Sequence, residues 1–177
     1  IDNIDENELL QLAASAEKGS EHPLGEAIVR DAEAKGLEIL DISNFNAIPG
    51  HGIEVTISSK NILLGNKKLM DSRKIPLADL AQTTDRIAGE GKTPMFIAID
   101  NKVAGIIAVA DTVKKNSKAA IARLHKEGIR VAMITGDNKI TADAIAKQVG
   151  IDITLAEVLP EDKANEIANM TLNARSD

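Results

Sequence analysis

The sequence predicts an α/β chain in two parts: an α+β part built on an antiparallel sheet with flanking helices on one side, then a partial parallel α/β part. Three observations carry that prediction. Short β-rich runs come in pairs joined by tight turns over about the first hundred residues. Beyond them the pattern changes to strict alternation of strand and helix, as βαβ units require. The 177 residues are 44% hydrophobic, enough for a core, and their number fits one domain or two small ones.

Residues 6–18 place Leu9, Leu12, Ala13 and Ala16 on one face at helical spacing, and Gly19 supplies the stop. Pro23 suits a first helical position, so a second helix starts there, with Leu24, Ala27 and Ile28 inward and Gly36 as terminator. Residues 37–46 and 53–57 read as extended, with Pro49, Gly50 and Gly52 turning the chain between them. Residues 58–61 make a hairpin-like connection into Ile62-Leu63-Leu64, and two short helical pieces follow near 66–72 and 77–88. Thr93 to Asp100 and Val103 to Ala110 then flank an Asp100-Asn101-Lys102 turn.

In the second part, residues 117–127 form an amphipathic helix on Ala120, Ile121 and Leu124, closed by Gly128. A buried strand over 129–135, a helix over 138–149, a short strand over 151–157 and a helix over 160–172 complete the alternation. So few strands leave open sheet edges and an underfilled core, which reads as part of a domain.

Composition removes several function classes. Phe45 and Phe96 are the only aromatic residues, too few for the stacking platforms of single-strand nucleic-acid binding. The 27 acidic against 21 basic residues, net −6, argue further against nucleic acid and anionic membranes as partners. Cysteine is absent, and His22, His51 and His125 lie far apart, so no dedicated metal cage is expected. The longest apolar run, Val103 to Ala110, has eight residues where a membrane-spanning helix needs about 20. The acidic first residues do not look like a signal peptide.

Five segments could carry chemistry, and each also has an ordinary structural reading. Thr135-Gly136-Asp137 ends a strand just before a helix, where α/β proteins bind phosphates; it would equally serve as a turn and helix cap. Lys163 stands in the first turn of a helix, against the dipole, a mismatch that a bound anion would relieve. His22, ahead of Pro23, offers a flat hydrogen-bonding ring or is a plain surface residue. Gly50 and Gly52 could admit a ligand close to the backbone or simply make a turn, and Gly65-Asn66 could contact ligand or cap a helix. His51 and His125 show no partner in the sequence and are assigned to a turn and a solvated helix face.

In this order, Glu17, Ser20-Glu21-His22-Pro23-Leu24, Gly50-x-Gly52, Gly65-Asn66, Thr135-Gly136-Asp137 and Leu159-Pro160-Glu161-Asp162-Lys163 resemble the cytoplasmic ATP-binding region of heavy-metal-transporting P-type ATPases. Copper exporters are the nearest in look, over about residues 7 to 172. The resemblance implies a nucleotide-binding domain over 1–108 and part of a haloacid-dehalogenase-like phosphorylation domain over 109–177, with Asp111 at the hinge. It implies that Glu17 and His22 orient the adenine of ATP, that Gly50, Gly52 and Ile53 line the cleft, and that Gly65 and Asn66 complete it. Thr135 and Gly136 would hold phosphoryl oxygens, Asp137 would lie beside them, and Lys163 would neutralise developing charge.

The family's phosphorylated Asp, in Asp-Lys-Thr-Gly-Thr, and its Mg²⁺-holding Gly-Asp-Gly-x-Asn-Asp do not occur in the sequence. The expectation is therefore a monomeric fragment that binds ATP weakly, has an incomplete Mg²⁺ site and forms no phosphoenzyme. Its partners would be nucleotide and the rest of the same pump, at the cytoplasmic side of a membrane it does not itself enter. Alternatives are a zinc- or cadmium-type pump fragment, a non-catalytic interaction module, and a freestanding haloacid-dehalogenase-like phosphatase. The last needs an Asp nucleophile, and Asp100 and Asp111 lack the Gly-rich turn that should follow one.

Overall fold

The computed structural model describes residues 4–20, 22–110 and 113–173. The chain folds as two compact units.

In the first unit, helix α1 (Glu6–Glu17) begins at Asp5, whose carboxylate accepts the Glu8 N–H at 2.8 Å, and helix α2 (Pro23–Ala34) follows. Strands β1 (Ile42–Ile48), β2 (Gly52–Ile57), β3 (Lys60–Gly65), β4 (Thr93–Ile99) and β5 (Lys102–Val109) form an antiparallel meander in chain order. Between β3 and β4 come helix α3 (Lys67–Ser72), a 3-10 turn (Ala78–Leu80) and helix α4 (Ala81–Gly89). The β2–β3 and β4–β5 connections each use two residues with positive φ, Ser58-Ser59 and Asp100-Asn101, the backbone that matches strand twist in a tight hairpin.

The sheet is covered on both faces, not on one side as expected. Ile62 and Leu64 of β3 and Ile97 and Ile99 of β4 pack with Leu12, Ala13 and Ala16 of α1 and Ile28 of α2. The residues between them, Leu63, Phe96 and Ala98, point the other way onto Leu69 and Met70 of α3 and onto Ile75. Consecutive apolar residues such as Ile62-Leu63-Leu64 are what burial on both faces demands, because successive side chains alternate across a strand.

The extended segment expected over 37–46 is also corrected. Strand pairing starts only at Ile42 and runs to Ile48. Upstream, Leu37, Ile39 and Leu40 pack against the core as irregular backbone, tied to α1 by the Gln11 side-chain amide to the Glu38 carbonyl (2.9 Å) and by Leu40 N–H to the Ser15 hydroxyl (2.9 Å). Their apolar character serves packing, not a ladder.

The second unit contains helix α5 (Ser117–Lys126), strand β6 (Ala132–Ile134), helix α6 (Lys139–Val149), strand β7 (Ile153–Leu155) and helix α7 (Lys163–Asn173). β6 and β7 pair in parallel, Ala132 opposite Ile153 and Ile134 opposite Leu155. The buried strand expected over 129–135 is a three-residue strand, and none of those seven residues is buried; Ile129 is 48% exposed. Two strands cannot cover each other's faces. Asp111, the expected hinge, lies outside the described residues. Among the described residues no helix is long and apolar enough to cross a membrane.

Candidate functional site

Glu17 closes α1 and is 5% exposed, the one buried ionisable side chain among the described residues. Its Oε2 has no hydrogen-bond partner. Burial pushes the carboxyl above its ordinary range, and the Ser20 side chain and His22 pull it back only in part. An orphaned carboxylate oxygen in such a place is an acceptor waiting for a donor.

Opposite it lies Gly25, in the first turns of α2. A β-carbon there would collide with Glu17 Oε2, so the glycine makes the space the carboxylate occupies. Sequence reasoning passes over Gly25. The signal that could have found it is a glycine inside a predicted helix, where it costs about 1 kcal/mol against alanine and so calls for a packing reason.

His22 is exposed and caps α2: its Nδ1 accepts the Leu24 N–H at 3.2 Å, and its own N–H reaches the Ser20 hydroxyl at 3.3 Å. With Nδ1 as acceptor, the neutral ring carries its proton on Nε2, which is then a donor. The α1–α2 connection thus runs from a buried acceptor, Glu17, to an exposed donor, His22.

The glycines after β1 have a structural reason of their own. Gly50 has φ +71° and Gly52 φ +146°, both in the left-handed region. Gly52 and Gly65 are register partners, and a β-carbon on Gly52 would strike the Leu64 carbonyl, one on Gly65 the His51 carbonyl. Asn66 completes the arrangement. Its carbonyl oxygen accepts Leu69 N–H at 3.1 Å as the cap of α3, its amide donates to the Gly50 carbonyl at 2.8 Å, and its backbone N–H donates to the His51 carbonyl at 2.9 Å. The structure therefore brings Gly50, Gly52, Gly65 and Asn66 together at one end of the β2–β3 pair. Ile53 is different: its side chain is buried in the core shared with Ala13 and Ala16 of α1.

In the second unit the Thr135 hydroxyl donates to Asp137 Oδ2 at 2.7 Å and accepts the Asp137 N–H at 3.1 Å. The loops after β6 and β7 are joined, Glu157 N–H to the Asp137 carbonyl (2.9 Å) and Val158 N–H to the Thr135 carbonyl (3.1 Å). Asn138 caps α6 by accepting the Thr141 N–H at 3.0 Å, leaving Gly136 exposed between strand and helix terminus. Lys163 is the first residue of α7, exposed, with its ammonium in no hydrogen bond or ion pair among the described residues.

His51 and His125 both have partners, contrary to expectation. His51 Nδ1 lies 2.9 Å from the Pro49 carbonyl, and His125 Nε2 lies 2.9 Å from Asp152 Oδ2. Asp152 also accepts the Val131 N–H at 2.7 Å, and that backbone bond first, then His125, holds its carboxyl below the ordinary range. It clamps the end of α5 to the strand region, a contact across 27 residues that no local pattern announces.

Residues 2–175 match the haloacid dehalogenase-like hydrolase family. The chain belongs to that family. Within it the resemblance read from the ordered motifs is borne out: the chain is 54% identical over 166 residues to the copper-exporting P-type ATPase of Staphylococcus aureus (strain JH9), covering 93% of this chain and 21% of that protein. It therefore spans about a fifth of the length of the curated relatives it matches. Among solved structures it is similar to a zinc-transporting PIB-type ATPase in the E2.Pi state, with TM-score 0.63 and 33% identity over 98% of this chain and 28% of the other. The catalytic domain of the CPx-ATPase CopB-B, in a structure concerned with its conformational changes upon nucleotide binding, gives TM-score 0.68 and 25% identity over 97% of this chain and 59% of the other. The mixed architecture expected from the sequence, an antiparallel sheet followed by a small parallel α/β part, stands.

Proposed function

We propose that this chain is the ATP-handling cytoplasmic portion of a copper-exporting P-type ATPase, with residues 1–108 as its nucleotide-binding domain and 109–177 as part of its phosphorylation domain. The observation that carries the nucleotide reading is Glu17 Oε2, buried without a partner five residues before His22, whose Nδ1 accepts the Leu24 N–H and leaves Nε2 as donor. An acceptor beside a donor matches the edge of adenine, whose exocyclic amine donates and whose adjacent ring nitrogen accepts. In this reading Glu17 and His22 fix the base. Gly50, Gly52, Gly65 and Asn66 hold the turn against which the rest of the nucleotide lies, and Ile53 supports that turn from the core.

ATP supplies the phosphoryl group. Thr135, Gly136 and the start of α6 then face phosphoryl oxygens with a hydroxyl, a backbone N–H and a positive helix end, and the exposed ammonium of Lys163 neutralises charge that develops on them. Mg²⁺ is the cation of this chemistry. Among the described residues no three His, Cys, Asp or Glu side chains converge. The acceptor Asp of Asp-Lys-Thr-Gly-Thr is not in this sequence, so these residues present the γ-phosphate without receiving it. Copper is preferred over zinc as the parent pump's cargo because the curated relatives that are 54% identical to this chain are copper exporters.

Titration with ATP followed by amide NMR tests the reading. Glu17, His22, Gly50 and Gly52 should shift together at millimolar nucleotide, and unmoved signals at those four positions would overturn it.

A further inference from the structure

We infer that helix α5 and the two lysines ahead of it form a basic surface that docks on anionic phospholipid headgroups at the face of a bilayer, without entering it. The presence of a bilayer rests on the pump reading above. Residues 114–126 carry five cations, Lys114, Lys115, Lys118, Arg123 and Lys126, and no acid, in a chain of net charge −6. The net charge that argues against an anionic membrane therefore hides a segregated patch. Screening lets the patch act by itself: at physiological ionic strength charges act over about 8 Å, so a surface brought against α5 feels these five cations before the chain's sum.

The fold leaves the patch open. Ile121 is the one buried residue of α5. Its Cγ2 lies 3.8 Å from where a β-carbon on Gly150 would stand, His125 Cε1 lies 4.0 Å from the same point, and His125 bonds Asp152. Helical spacing puts Arg123 and Lys126 on the side away from this contact and Lys118 on its flank. All five cations are exposed, and none makes an ion pair among the described residues. The helix dipole accounts for Arg123 and Lys126 in the last turn. It opposes Lys118 in the first turn and Lys114 and Lys115 ahead of it, and Asn116 makes no side-chain cap there. At the other end the Ile129 N–H donates to the Leu124 carbonyl at 3.0 Å, so two exposed aliphatic residues adjoin the cations. Cations beside exposed aliphatic side chains suit a headgroup layer, whose boundary takes both. An acidic protein surface fits less well: four of the five cations are lysines, point charges without arginine's planar fork, and the patch has no aromatic anchor.

The test is cosedimentation of the 177-residue chain with vesicles of phosphatidylglycerol and phosphatidylcholine, against vesicles of phosphatidylcholine alone. The chain should bind only the first and be released as salt is raised. Each cation near such a surface contributes about fivefold in affinity, so Lys118→Gln with Lys126→Gln should weaken binding about 25-fold. Lys114→Gln with Lys115→Gln should do the same, and because both lie outside the helix this pair separates a lost contact from a lost fold. Lys60→Gln with Lys102→Gln changes the net charge equally on exposed residues of the first unit and should leave binding unchanged. Equal binding to uncharged vesicles, or equal losses in all three pairs, overturns the inference. So does the absence of vesicle binding; retention on immobilised polyglutamate would then assign the patch to an acidic protein surface. The amide response to ATP is a separate readout. Shifts at Glu17 and His22 without vesicle binding strike the docking alone, and silent amides with binding to the anionic vesicles strike the nucleotide reading alone.

Discussion

If Glu17 binds the base as proposed, it does so at the expense of the fold. Its carboxyl is buried with one oxygen unpartnered, and burial raises its pKa. A raised folded-state pKa means the folded chain holds that proton more tightly than the unfolded chain, so this group's contribution to stability falls as pH rises through the interval from the unfolded value, about 4.3, to the folded one. Above that interval the folded state carries a poorly solvated charge. Glu17→Gln removes the charge and keeps the shape, so at pH 8 the variant should melt a few degrees higher than wild type. The gap should close as pH is lowered through the titration of Glu17. Thermal melts by circular dichroism across pH 4 to 8 check both parts; a gap independent of pH would mean that desolvation of the carboxylate is not the cause.

At the scale of elements, the β2–β3 pair is the piece on which the candidate site is built, and it tolerates side chains unequally. Gly65→Ala drives a β-carbon into the His51 carbonyl and onto Leu69, and because one of those is backbone the strands themselves must shift. The expected loss is about 3 kcal/mol. Asn66→Ala removes a helix cap and the bond to the Gly50 carbonyl, with an expected loss of 1–2 kcal/mol, about the usual worth of a cap. Urea unfolding should rank them in that order, and equal losses would show that Gly65 is not held by contact. Much at this scale is legible in sequence because it is local: Pro23 as the start of a helix, the cap at Asn66, the turns at Ser58-Ser59 and Asp100-Asn101. Misread elements have non-local causes. Leu37, Ile39 and Leu40 look like a strand because they are apolar, yet α1, not a neighbouring strand, is their partner. The second layer against Leu63 and Phe96 is written in the apolar run of β3, but only the fold shows what fills it. Likewise the motif singles out Glu17 and His22 as candidates, whereas Gly25 and the Asp152 clamp exist only as contacts between elements.

Over the whole molecule, the burial of apolar side chains is divided unevenly between the two units, and stability should follow it. The first unit packs Ile57, Ile62, Leu63, Leu64, Phe96 and Ile97 to near-complete burial between helices on both faces of five strands. Beyond residue 112 the buried hydrophobics among the described residues are Ile121, Ala142, Ala146 and Val149, two of them alanines, beside a sheet of two three-residue strands. Each large aliphatic side chain buried contributes about 1.5–3 kcal/mol and an alanine far less, so the second unit has little to set against its chain entropy. Local opening should therefore cost much less there. Native-state hydrogen exchange checks this: amides of β3 and β4 should exchange only through global unfolding, while those of β6, β7 and α6 should exchange at least a hundredfold faster, a difference of about 2.7 kcal/mol in opening free energy. ATP should slow exchange around Glu17, His22 and Gly52 in the first unit, where Glu17 ends α1 and His22 caps α2. Protection of the second unit equal to that of β3 and β4 would mean that the two units unfold as one and that burial within each does not set its stability.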